Sequence, residues 1–158
     1  MRDVLLERLG EDEAVAEPLQ ASIQELLDRD DFLLRNNVNE RTISHRLAMY
    51  MQEHFPNWDV DCEYNRNHDD PKRIPAPKRI ESDDVDAKTV FPDIIVHHRN
   101  TDENLLVLEI KKSSNPESSA EDLDKLSRIK KAFGYKHALF IRFRVGYMRT
   151  GVAEILAA

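Results

Sequence analysis

The chain has 158 residues, 41% of them apolar and 34% charged, and a net charge of −7, which suits a single domain built on one core. Its lone cysteine, Cys62, excludes an internal disulfide framework, and no apolar run approaches the ~18 residues that a membrane span requires. The opening Met1-Arg2-Asp3 turns acidic at once, unlike a secretory leader, so the expectation is a cytoplasmic protein with no membrane partner.

The charge is unevenly spread. Residues 1–31 hold ten acids against three bases, which accounts for the whole net charge. Residues 125–149 carry eight bases and no acid. Such a stretch either attracts phosphates or forms a solvated helix face followed by an arginine-guarded edge strand.

In chain order, the first ~30 residues read as helical on spacing alone. Leu19, Ile23, Leu26 and Leu27 recur on one face, and Pro18 suits a first helical position. Residues 1–36 thus read as an acidic helical extension that could dock a protein partner or a second copy of the chain. A further helix is predicted from about Val38 to His54, with Ile43, Leu47, Tyr50 and Met51 as its apolar stripe and Pro56 as its stop. Either Asn37 or Asn39 can cap it. With Asn37 as the cap, Glu40 falls at the third helical position, as in a capping box.

Trp58, Val60 and Cys62 alternate with Asp59, Asp61 and Glu63, which predicts a strand over 58–64. Residues 65–89 show no periodicity and contain Pro71, Pro75 and Pro77. Within them Pro71-Lys72-Arg73-Ile74 recurs as Pro77-Lys78-Arg79-Ile80, and the Lys72–Arg73 and Lys78–Arg79 pairs are candidates for clamping a phosphate backbone. Phe91–His97 and Leu105–Lys111 read as two strands joined by the polar turn 99–104. A helix over 119–133 follows, with Leu123, Leu126, Ile129 and Phe133 inward and Gly134 as its end. Ala138–Val145 reads as a last strand. The expected fold class is α/β with a mixed sheet of four strands.

A hairpin centred on Thr101 would pair residues whose numbers sum to 202, setting Ile95 against Val107 and Asp93 against Glu109, about 5 Å apart. Lys111, two residues beyond Glu109, points to the same side. The opposite face is apolar throughout: Ile94, Val96, Leu106, Leu108 and Ile110. Two carboxylates that close repel each other and need a compensating cation. Mg²⁺ (or Mn²⁺) suits them, because it prefers oxygen ligands and is often held by one or two carboxylates plus a substrate phosphate. Lys111 would then orient or deprotonate a water, or hold a phosphate oxygen. The plainer reading is a solvated face on which Glu109 and Lys111 merely pair.

Pro92-Asp93 followed sixteen residues later by Glu109-Ile110-Lys111 resembles the PD-(D/E)xK nuclease superfamily, whose restriction endonuclease-like core has the order αβββαβ read here over residues 38–145. The resemblance leaves 1–36 as the extension and 65–89 as an inserted loop in a single domain spanning 1–158. It implies a divalent-metal-dependent nuclease acting on DNA, with Asp93, Glu109 and the Ile110 carbonyl as metal ligands and Lys111 as the catalytic lysine. Glu40, on the inward stripe of the helix before the sheet, matches a glutamate that many members place at the metal. A catalytically inactive nucleic-acid- or protein-binding module on the same fold is the alternative. Lys125 and Arg128, on the helix after the motif, are candidates for phosphate contacts. His97 and His98, at the mouth of the turn, read as surface histidines, and no pair of histidines has zinc-ligand spacing. A phosphate-cradling glycine loop is absent from the sequence, so nothing suggests ATP-driven chemistry.

Overall fold

The computed structural model describes residues 1–62 and 92–158 and, between them, only two short antiparallel pairings, Arg66–Asn67 with Asp70–Pro71 and Arg73–Ile74 with Lys88–Thr89. Five helices are present among the described residues: α1 (Arg2–Arg8), α2 (Glu13–Arg29), α3 (Asp31–Arg35), α4 (Glu40–His54) and α5 (Ser119–Phe133). The strands of the main sheet are β1 (Asp59–Cys62), β2 (Ile94–His97), β3 (Asn104–Lys112), β4 (His137–Arg144) and β5 (Gly151–Ala157). They lie side by side in chain order. All neighbours are antiparallel except β3 and β4, which are parallel and joined through α5. The expectation of four strands therefore needs correction to five. The addition, β5, pairs along β4 with Ile155 buried.

Alternation along the strands divides the core into two layers. Ile94, Val96, Leu106, Leu108, Ile110, Leu139, Ile141 and Phe143 face the four N-terminal helices. Ile95, Val107, Ala138 and Phe140 face Leu126 and Ile129 of α5. The middle strands are covered on both faces, so they read as near-continuous apolar runs. Full burial of each such side chain contributes about 1.5–3 kcal/mol. The acidic extension belongs to this core: Leu5, Leu6, Leu9, Leu19, Ile23 and Leu26 are buried in it, and Asp12 and Asp30 are held by Lys136 and Arg46.

Local signals set the helix ends. Asn39 caps α4, its Oδ1 accepting from the Thr42 N–H at 2.8 Å. Glu40 is therefore the first helical residue, and the capping-box role that depended on Asn37 does not arise. Pro18 lies inside α2, which starts five residues earlier at Glu13. Ser118 caps α5, and Gly134 ends it in the left-handed region at φ 67°, a conformation that costs glycine little.

The hairpin register is Ile94–Leu108, Ile95–Val107 and Val96–Leu106, as the alternation predicts. It shifts between Val96 and His97, so that His97 faces Asn104 instead of Leu105. His97 is buried, which corrects its reading as a surface histidine. It is 3% exposed, and its Nε2 lies 2.8 Å from Asp61 Oδ2 on β1.

Candidate functional site

β2 and β3 bring Asp93 and Glu109 to the same rim of the sheet. Asp93 immediately precedes β2, and its Oδ2 accepts from the Ile110 N–H at 2.7 Å, across the hairpin. Glu109 lies on the α5 face of β3 and is only 4% exposed. Lys125 of α5 closes over it, with Nζ 2.5 Å from Glu109 Oε1. Lys111, one alternation further along β3, reaches Glu117 Oε2 at 3.0 Å and Asp122 Oδ2 at 3.6 Å. Arg142, the β4 neighbour of Lys111, holds the intervening loop by donating to the carbonyls of Lys112, Asn115 and Glu117.

Glu40, at the N-terminal end of α4, overhangs this rim. Its Oε1 accepts from Asn115 Nδ2 at 3.2 Å. Beside it opens a cleft of ≈ 360 Å³ lined by Glu40, Arg41, Ser44, His45, Cys62 and Asp93. Asp93 and Glu40 are thus the carboxylates that meet the cleft, while Glu109 sits behind Asp93 under α5.

The electrostatics follow from burial and crowding. Burial and, next, the neighbouring charge of Asp93 together push the Glu109 carboxyl up to about 7, against the pull of Lys125. Burial also raises Asp93, with Glu40 adding to it, although the Ile110 N–H and the two lysines oppose the shift. Burial alone would lower Lys111; the hydrogen bond to Glu117 and the charges of Asp122 and Glu40 outweigh it and leave its ammonium above the ordinary value. Two lysines, 111 and 125, face a cluster that contains Glu40, Asp93, Glu109, Glu117 and Asp122. The local balance is negative.

Among the described residues, no three His, Cys, Asp or Glu side chains stand grouped as a ready-made metal-ligand set. What the rim offers is smaller: two carboxylates whose ionisation is opposed by burial and mutual repulsion, with the Ile110 carbonyl next to Glu109 in sequence. That donor set is compatible with a hard divalent cation, which needs only one or two protein carboxylates.

The other residues singled out by sequence fall elsewhere. Arg128 pairs within α5, its Nε 2.9 Å from Asp124. Of the phosphate-clamp candidates, Arg73 falls on the short strand paired with Thr89, and Lys72, Lys78 and Arg79 lie outside the described residues. The basic stretch 125–149 does not form one patch. Lys136 goes to Asp12, Lys130 to the Ala158 carbonyl and Arg142 to Glu154, besides Lys125 at the carboxylates. Sequence reading missed Glu117, Asp122 and Arg142. The first two flank Ser118 as ordinary acids at a helix start, and only the packing of α5 beside β3 reveals them as partners of Lys111. No protein-family model, curated protein or solved structure matches the chain.

Proposed function

We propose that the chain is a divalent-metal-dependent nuclease that hydrolyses phosphodiester bonds, with DNA as its substrate. One observation carries this reading: Asp93, Glu109 and Lys111 meet at one rim, with Glu40 beside them and an excess of negative charge. Clusters in which burial and like charge together displace carboxyl pKa values are characteristic of functional sites. The resemblance to the PD-(D/E)xK superfamily, with its restriction endonuclease-like core, assigns the same residues. Asp93, Glu109 and the Ile110 carbonyl would hold Mg²⁺ or Mn²⁺, which when bound acidifies water and neutralises charge on a phosphate.

The chain's own residues divide the remaining work. Lys111, kept protonated by Glu117 and Asp122, suits a cation that binds a phosphate oxygen better than it suits a general base. Asn115 tethers Glu40 and, through its own oxygen, the Glu117 N–H, so the loop after β3 is fixed where Lys111 needs it. Arg142 braces the same loop from below.

The test uses supercoiled DNA with Mg²⁺ or Mn²⁺ and the variants Asp93→Asn and Lys111→Ala. Asparagine keeps an acceptor for the Ile110 N–H, so Asp93→Asn separates chemistry from folding. Both variants are expected to lose cleavage, and Asp93→Asn to lose the calorimetric heat of Mn²⁺ binding as well. Wild-type cleavage by both would sink the reading. A second reading, an inactive nucleic-acid- or protein-binding module, draws on Lys125. Its ammonium already supplies Glu109 with positive charge, so the pair does not require a metal. Absence of any Mn²⁺ heat at millimolar metal would select it.

A further inference from the structure

The loop between β4 and β5 carries two of the three most exposed large apolar side chains among the described residues. Tyr147 is 79% exposed and Met148 99%, and neighbouring Phe32 on α3 is 72% exposed. These three belong to one structure. Asn36 donates to the Phe32 carbonyl and accepts from the Tyr147 hydroxyl at 3.0 Å, Gly146 donates to the Leu34 carbonyl, and Thr150 donates to Asp31. The apolar tip is therefore held up by hydrogen bonds at its base.

Its position follows from strand direction. β3 and β4 are parallel, so the end of β4 emerges beside the end of β3. Ser113, two residues past Lys111, donates its N–H to the Phe143 carbonyl at 2.7 Å, and its Oγ accepts from the Val145 N–H at 3.1 Å. The tip thus shares a rim with the carboxylates. Its charge is positive. Residues 143–149 contain Arg144 and Arg149 and no acid. The nearby acids Asp31 and Glu154 are engaged by Arg35 and Arg142 respectively.

We infer that this tip is a strand-binding surface, in which Tyr147 and Met148 stack on an unpaired base while Arg144 and Arg149 contact the flanking phosphates of a single strand. The inference rests on the nuclease reading and specifies its substrate. Bases in a duplex hide their faces, so an exposed aromatic and a bare methionine gain most from a strand whose bases are open. Arginine and aromatic side chains side by side are the usual platform for such strands. A second copy would also gain from the apolar tip, and self-association is therefore the competing outcome of the test.

The experiment uses the full chain carrying Asp93→Asn, so that nothing is cut, and a fluorescein-labelled oligothymidylate and a blunt duplex as probes of anisotropy. The single strand is expected to bind more tightly than the duplex. The double variant Tyr147→Ala/Met148→Ala should weaken single-strand binding tenfold or more with little change for the duplex. Arg149→Ala should weaken both and reduce the slope of log affinity against log salt by about one. Unchanged single-strand affinity in the double variant would overturn the inference, as would a change in self-association by light scattering without a change in binding. Should wild type cut DNA while the tip variant binds normally, the surface alone is wrong. If tip-dependent binding holds but wild type cuts nothing, the nuclease reading alone is wrong.

Discussion

The hairpin of β2 and β3 carries a charged cluster at each end, and the two are opposite in kind. At the turn end, Asp61 is flanked by His97 and by Arg99, whose guanidinium meets it at 2.6 Å. Burial pushes the Asp61 carboxyl up, but Arg99 and His97 together bring it below the usual carboxylate range. Trp58 stacks on His98 beside them, ring centroids 4.2 Å apart. At the rim end, burial and the Asp93 charge drive Glu109 upward and Lys125 does not restore it. A polar cluster whose charges cancel serves the fold. One left with surplus like charge costs stability and is kept where something else supplies the balance.

The largest expected effect separates the two ends directly. Lys111→Ala should lower metal-dependent cleavage by about 10³-fold, within the range of a lost catalytic group, while its urea midpoint stays within error of wild type. His97→Ala should do the reverse, costing about 2–4 kcal/mol of stability through a cavity and a lost buried hydrogen bond. Its cleavage rate, measured where the protein remains folded, should hold. If His97→Ala abolished cleavage without unfolding the chain, the division between the ends would fail.

Next in size is the pH dependence of stability. The folded pKa of Glu109, about 7, lies above its ordinary 4.5. The folded protein therefore binds a proton that the unfolded chain has released between those values. This carboxyl favours folding most below pH 4.5, and its contribution is lost as pH rises through about 7. Glu109→Gln should stabilise the metal-free protein at pH 8 by on the order of 2–3 kcal/mol and have much less effect at pH 5, as read from urea unfolding in chelator. Asp61 has the opposite sign: its lowered pKa contributes stability above 3.8 that is lost as pH falls through the folded value. A flat difference between Glu109→Gln and wild type across that range would show that the rim carries no electrostatic burden. The smallest effect is Asn39→Ala, which removes the cap of α4 at about 1 kcal/mol. Thermal unfolding checks it.

The sequence made part of this legible. Alternation of Ile94, Val96, Leu106, Leu108 and Ile110 determined the register of three pairs, because slipping by one residue would put the whole set on the wrong face. The shift at His97 was not legible, since a bulge obeys no alternation. β5 escaped because Gly151-Val152-Ala153-Glu154-Ile155-Leu156-Ala157 is only half alternating, and its pairing comes from the backbone of β4. Glu40 was recognised on the inward stripe of its helix, yet its identity as first helical residue depended on which asparagine capped. Lys125 was singled out as a phosphate contact, and the spacing held nothing to indicate its approach to Glu109. That distance depends on where the crossover helix settles on the sheet, a tertiary fact with no period in the chain.

One consequence of the parallel step from β3 to β4 concerns the order of assembly. Asp93 and Glu109 belong to a local hairpin that closes over a short turn, and such hairpins form within microseconds. Lys125 arrives on the crossover, which docks only when the more distant β4 finds its place, a slower event because more chain must be closed. In the nascent protein the two carboxylates therefore meet before their ammonium partner does. Until the late helix lands, repulsion between them is expected to oppose closure of the acidic end, so that the ribbon should zip from the Thr101 turn toward the rim.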